Sequence, residues 1–172
     1  MKFLLLFVFL STLLFSTIIL PPSFRANFSQ KITNTKQKVL QYSGKVSFSN
    51  TSHFKWQYLK PTQKEVCTDG LELLVVDHDL EQVSVYYMGA SLDISTILSQ
   101  AKHHKDNIYV TLYQKKNYTI KLDKKQHLHS IAYFDDLDNH VQILFSQMKY
   151  QQKHYPLSSM KCVYPITYDM IK

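Results

Sequence analysis

The chain of 172 residues carries a formal net charge of +7 and only 3 glycines, beside 12 tyrosines and 10 phenylalanines. That length predicts one domain with a substantial core, and the scarcity of glycine excludes the phosphate-cradling loops of nucleotide-binding folds. The basic excess contains no consecutive run longer than Lys115-Lys116 or Lys124-Lys125, which argues against nucleic acid; attraction to anionic lipid or an acidic partner would require the lysines to gather in space.

Lys2 followed by Phe3 to Leu20 reads as the charged start and apolar body of an export signal. Residues 1–20 are expected to be removed, with cleavage between about Ser16 and Ala26, leaving a single exported domain over 21–172. The apolar stretch is also about long enough to span a bilayer, so retention as an inner-membrane anchor is the alternative. No cysteine follows it as a lipidation site.

From Phe28 onward the pattern is that of short strands. Val46 to Ser49 alternates apolar and polar, as does Phe54-Lys55-Trp56-Gln57-Tyr58, which ends at Lys60-Pro61. Glu65 to Thr68 leads to Asp69-Gly70, a hairpin turn signal, and then to the apolar run Leu71 to Val76. Asp77-His78-Asp79 turns the chain into Leu80 to Tyr87. Period-2 alternation sends Phe54, Trp56 and Tyr58 to one face and Lys55 and Gln57 to the other.

Met88-Gly89-Ala90 interrupts the strands, and Ser91-Leu92-Asp93 reads as a helix start. Ile94, Ile97, Leu98 and Ala101 then form one apolar stripe on a helix of about three turns, with His103-His104-Lys105 in its last turn. Strands resume at Ile108 to Tyr113, Tyr118 to Leu122, Leu128 to Phe134 and Val141 to Met148, and a last one is predicted over Met160-Cys162-Tyr164 and ended by Pro165. The count is about ten or eleven strands with a turn roughly every eight to twelve residues, as in barrels and sandwiches.

Four groups of residues invite a chemical reading. His103-His104 and His127-x-His129 could pair on a metal, but no further ligand stands at the right spacing, and exposed polar side chains explain them better. Asp135, Asp136 and Asp138 lack the glycine and distal glutamate of a calcium loop and suit a hairpin turn. Cys67, His78 and Asp77 are nucleophile, base and orienter by type, yet Cys67 sits mid-strand with no oxyanion device, so catalysis is not expected. Cys67 and Cys162 fit an exported compartment that would join them in a disulfide; two separate buried thiols are an equal alternative, because pairing depends on Cα separation.

The aromatic face has two readings. Phe48, Phe54, Trp56, Tyr58, Val75, Val85 and Ile97 could be the packed core of a two-sheet sandwich. Alternatively, one long meander curled around a single helix leaves a dry interior suited to acyl chains.

The ordered set Gly44-Lys45-Val46, Phe54-Lys55-Trp56, Lys60-Pro61, Thr68-Asp69-Gly70, Asp77 and Leu80-Glu81-Gln82-Val83, with Phe28-Ser29-Gln30-Lys31 upstream, resembles the LolA family of periplasmic carriers of outer-membrane lipoproteins. The resemblance is specific from Phe24 to about Tyr87. It implies a mainly β fold in which one curved antiparallel sheet, an unclosed half-barrel, carries a lid of one to three short helices over a hydrophobic concave face. It matches Phe54 and Trp56 to cavity aromatics, and the expected acyl-cavity lining is Phe48, Phe54, Trp56, Tyr58, Leu73, Val75, Val85, Ile94, Ile97 and Leu98. The implied partners are acylated lipoproteins, an inner-membrane ABC transporter that releases them and an outer-membrane acceptor. A monomer without catalytic activity, cofactor or metal is expected. Two features depart from the family: Pro21-Pro22 crowds the place of its first helix, and Ser49-Asn50-Thr51 lacks the basic residue that the family often carries before the Phe-x-Trp strand.

Overall fold

The structure is a computed structural model and describes residues 18–49, 52–87 and 94–171. The alternating sequence forms β1 (Ser23–Thr33), β2 (Val39–Ser49), β3 (His53–Lys60), β4 (Lys64–Thr68), β5 (Glu72–Asp77) and β6 (Gln82–Tyr87) as a continuous antiparallel meander. After the helix α1 (Ile94–Ser99) comes a second meander, β7 (Lys102–Lys105), β8 (Ile108–Tyr113), β9 (Lys116–Leu122), β10 (Leu128–Phe134) and β11 (His140–Gln151). β11 returns to pair with β1, so the two meanders fuse into one 12-stranded sheet ordered β12-β6-β5-β4-β3-β2-β1-β11-β10-β9-β8-β7, with β12 at Asp169–Ile171. The two terminal strands are not joined, and the sheet is an unclosed, curved half-barrel, as expected.

Aspartates and asparagine make most of the turns. Asp69, Asp77, Asp123 and Asp135 each accept two backbone N–H bonds from their own loop through Oδ1, and Asn34 does the same between β1 and β2. These side chains replace the ladder partners that a turn removes. The Asp135-Asp138 segment is thereby explained as a turn. Gly44 is required by close approach: a Cβ there would lie 1.8 Å from the Gln57 carbonyl oxygen and 3.0 Å from the Phe28 ring.

Several expectations need correction. Among the described residues the sheet has 12 strands, where the sequence pattern predicts about ten or eleven. The described part of the helix, Ile94–Ser99, is 6 residues long, and its expected start at Ser91 to Asp93 lies outside the described residues, as do Met88 to Ala90. His103 and His104 are not in its last turn but in edge strand β7, where His103 pairs with Tyr109 of β8 and His104 sits at a register shift. All four residues of β7, Lys-His-His-Lys, are exposed, and charge on an edge discourages further strand addition.

The predicted strand over Met160-Cys162-Tyr164 is instead a strap crossing the outer face. It leaves β11, passes through a 3₁₀ turn at Leu157–Met160 and ends in β12, which pairs in parallel with β6 and so breaks the otherwise antiparallel order. Side chains of the sheet take the strap's backbone groups: Ser49 Oγ accepts from Tyr155 N, Lys55 Nζ donates to Lys161 O, and Val163 N donates to Glu65 Oε2. With those groups satisfied, no ladder is needed.

Candidate functional site

The inner face is built where β1, β2, β3, β11, β10, β9 and β8 turn one set of alternating side chains toward α1. Phe28 sits opposite Gly44 on β2 and Phe145 on β11, and Phe48 sits opposite Phe24 and Phe54. The rings form two runs: Phe24 to Phe48 at 5.1 Å and Phe48 to Phe54 at 4.8 Å, and Phe28 to Trp56 at 4.9 Å and Trp56 to Phe145 at 6.1 Å. Stacked, edge-on and tilted packing at these separations adds to the burial of apolar area. Ile94, Ile97 and Leu98 of α1 join the same buried cluster, with Ile18 from the segment before β1. No second sheet faces these rings among the described residues.

Of the residues expected to line this face, Phe48, Phe54, Trp56, Ile94, Ile97 and Leu98 are buried in the cluster, and Tyr58 packs against it half-buried. Leu73 and Val75 share its face through the register Phe54 to Thr68 to Leu73 and Trp56 to Val66 to Val75. Val85 does not. It pairs with Leu74, Leu74 with Cys67 and Cys67 with Lys55, which places Val85 on the outer face. The connection over residues 78–81 sets Asp77 against Gln82, and that offset continues the face of Val75 into Ser84 and Tyr86. Period 2 alone does not carry a face across a turn.

One end of the inner face is a band of tyrosines that alternation alone did not reveal. Tyr58 OH donates to Gln30 Oε1 at 3.1 Å, and its ring lies 5.1 Å from Phe28 and 5.8 Å from Tyr42. Tyr133 and Tyr118 stand 5.0 Å apart, with Tyr113 6.5 Å from Tyr118. Burial, then the neighbouring Tyr42, pushes the Tyr58 phenol up to about 12. Burial, followed by Tyr118 and Tyr58, raises Tyr133 as well. The Tyr58 and Tyr133 phenols therefore stay neutral at any physiological pH and offer hydroxyl groups without charge. The apolar wall thus ends in amphipathic rings.

The other chemical readings resolve structurally. Cys67 and Cys162 form a disulfide, with Cα atoms 5.7 Å apart. Glu65, Cys67 and Cys162 are the one group of three ligand-type side chains among the described residues, and both sulfurs are consumed by that bond. His78 Nδ1 faces Tyr168 OH at 3.2 Å, and Asp77 is paired with Lys64 at 2.8 Å, so Cys67, His78 and Asp77 each have separate structural partners. His103 meets the Asp106 carbonyl, and His127 lies against Tyr150. A bulge between Leu128 and Ser130 separates His127 from the regular strand, so the His127-x-His129 pair does not share a ladder face.

The sequence matches the family model described as "Outer membrane lipoprotein carrier protein LolA" over residues 22–156. It is 31% identical over 172 residues to the outer-membrane lipoprotein carrier protein of Campylobacter jejuni, covering 99% of this chain and 98% of that protein. It is likewise 31% identical over 123 residues to the protein of that name from Wolinella succinogenes, covering 72% of each chain. Among solved structures, a LolA superfamily protein from Nitrosomonas europaea superposes with a TM-score of 0.54 at 13% identity, covering 84% of this chain and 93% of that one. An uncharacterized conserved protein from Thermus thermophilus reaches a TM-score of 0.57 at 12% identity, covering 88% and 91%. Likeness at that identity concerns the fold alone.

Proposed function

The chain belongs to the LolA family of outer membrane lipoprotein carrier proteins, and from that premise we propose that its aromatic inner face holds the acyl chains of lipoproteins while they cross the periplasm. The observation that carries this reading is an apolar wall facing a short helix, with no second sheet over it among the described residues. Burying an acyl chain is worth about 0.8 kcal/mol per CH₂, so an acylated protein does not cross water unshielded. The wall is already covered by α1, so cargo must displace native contacts, which keeps net affinity low enough for release. The proposed lining is Phe48, Phe54, Trp56, Tyr58, Leu73, Val75, Ile94, Ile97 and Leu98.

Loading from an inner-membrane ABC transporter and delivery to an outer-membrane acceptor follow from this role, with no catalytic step. The expected basic residue at Ser49-Asn50-Thr51 is absent. Ser49 is engaged with the strap, whereas Asn50 and Thr51 lie outside the described residues. We assign the polar closure of the mouth to the tyrosine band instead. Export by the apolar N-terminal stretch, followed by processing, completes the reading. Processing ahead of Ile18 is supported by the burial of Ile18 in the core, and cleavage near Ala26 would remove part of β1. Among the described residues no helix is long and apolar enough to cross a membrane. A module tethered by uncleaved Phe3 to Leu20 is the second reading, since that stretch is about long enough to span a bilayer.

Purified protein is expected to carry lipid or lipoprotein, and depletion is expected to strand lipoproteins in the inner membrane. Normal sorting after depletion would end the proposal. The mature N-terminus, read by mass spectrometry, separates shuttle from tethered module.

A further inference from the structure

The strands β1 to β3 and β7 to β11 contain no Asp or Glu at any position; the acidic residues lie in β4, β5, β12 and the connections. On the outer face of this acid-free region is a groove of about 450 Å³. Arg25, Lys45 and Lys149 line it with Asn27 and Gln147, and its β3 side is Lys55 and Gln57, whose polar ends are turned to Glu65 of β4.

Register gathers the three cations. Arg25 and Lys149 are direct cross-strand partners on β1 and β11, and Lys45 on β2 sits opposite Asn27, one same-face step from Arg25. Like charges directly opposite one another in a sheet are destabilising. Among the described residues, neither Lys45 nor Lys149 forms an ion pair that would relieve this. The groove is also ordered. Arg25 is held by the Tyr155 ring, 3.9 Å from its guanidinium carbon. Asn27 Nδ2 donates to Gln147 Oε1 at 2.8 Å across a bulge that reshapes this part of the ladder.

We propose that this groove binds the phosphate of an anionic phospholipid headgroup and so docks the outer face of the protein on a membrane. Two further exposed lysines favour a membrane source over a free ion. Register places Lys31, opposite Gln142, and Lys121, opposite Ser130, on the same outer face of these strands. Distributed cations match an extended anionic surface, and arginine suits phosphate recognition. The site lies on the opposite face from the aromatic wall, so docking and acyl binding do not compete.

The test is co-sedimentation of the full mature protein with phosphatidylglycerol vesicles and, separately, phosphatidylcholine vesicles. No lipoprotein is present, so the result is independent of the carrier role. The unaltered protein is expected to bind phosphatidylglycerol selectively, with binding abolished at about 0.5 M salt. Arg25→Gln/Lys45→Gln/Lys149→Gln should weaken binding by about 10- to 100-fold. Lys36→Gln/Lys38→Gln/Lys102→Gln removes the same charge elsewhere and should bind nearly as before. The double variant Lys45→Gln/Lys149→Gln preserves the Arg25-Tyr155 contact, and its weakened binding at unchanged melting temperature would tie the effect to the groove. Equal binding by the two triple variants would overturn the site. So would stabilisation by inorganic phosphate with no vesicle binding, which would assign the groove to a free ion.

Discussion

Lys55 Nζ lies 3.0 Å from Glu65 Oε2 beneath the strap, and the same ammonium donates to the Lys161 carbonyl at 2.8 Å. Both side chains are nearly buried, at 10% and 13% exposure. The outer face of β3 is therefore not a solvent face at this point, although its neighbour Trp56 packs on the inner one. Removing Glu65 leaves a shielded cation short of its partner. Glu65→Gln should destabilise the protein by about 2–3 kcal/mol in urea titration. Lys55→Asp should be worse, because it sets two carboxylates together.

The same carboxylate predicts acid sensitivity. Burial alone would raise Glu65, but hydrogen bonds from Gln57, Lys55 and Val163 N outweigh it and hold the group below its ordinary 4.5. Asp77 is likewise held below 3.8: burial raises it, and Lys64 with the backbone of Leu80 and Asp79 more than offsets that. A depressed folded-state value contributes stability above the unfolded pKa and loses it as pH falls through the folded one. Melting temperature should be level with respect to these groups near neutrality and fall below about pH 4.5. Glu65→Gln should flatten part of that fall when melting is followed across pH.

The disulfide joins residues separated by 95 positions. In the chain-entropy account a loop of that size is worth about 4 kcal/mol, often less in practice. Cys67→Ser, or reduction, should lower the denaturation midpoint and expose the strap to proteolysis between Tyr155 and Asp169. Acyl-probe binding by the protein that remains folded should be retained, because the bond lies on the outer face.

Face assignment is testable by paired substitutions. Trp56→Asp, with a charge in the aromatic wall, should weaken binding of a fluorescent fatty-acid probe by about tenfold or more. Ser29→Asp, on the exposed outer side of β1, should leave it unchanged. Val75→Ala should reduce probe binding, whereas Val85→Ala should change stability without changing affinity. Equal effects within either pair would mean that the wall has been assigned to the wrong side.

Tyr58→Phe removes the hydroxyl bonded to Gln30 but keeps the ring against Phe28. The expected loss is about 1 kcal/mol of stability. If the tyrosine band closes the mouth, the probe should also dissociate faster from this variant in stopped-flow measurements.

Local pattern by itself determined the strands from β2 to β6 and β8 to β11, the Asp69-Gly70 turn, the apolar stripe of Ile94, Ile97 and Leu98, and the shared face of Phe54, Trp56 and Tyr58. Each depends on neighbours a few residues away, where periodicity is set by backbone geometry. Tertiary structure decided the rest. Val85 changed sides because its face depends on the register of a hairpin, and Cys67 found Cys162 because the strap brings their Cα atoms to 5.7 Å. The strap replaced a predicted strand because side chains from β2, β3 and β4 took its backbone bonds. The clustering of Arg25, Lys45 and Lys149 also emerged only when β11 returned to β1. All of these depend on contacts between distant segments, which alternation along one strand does not encode.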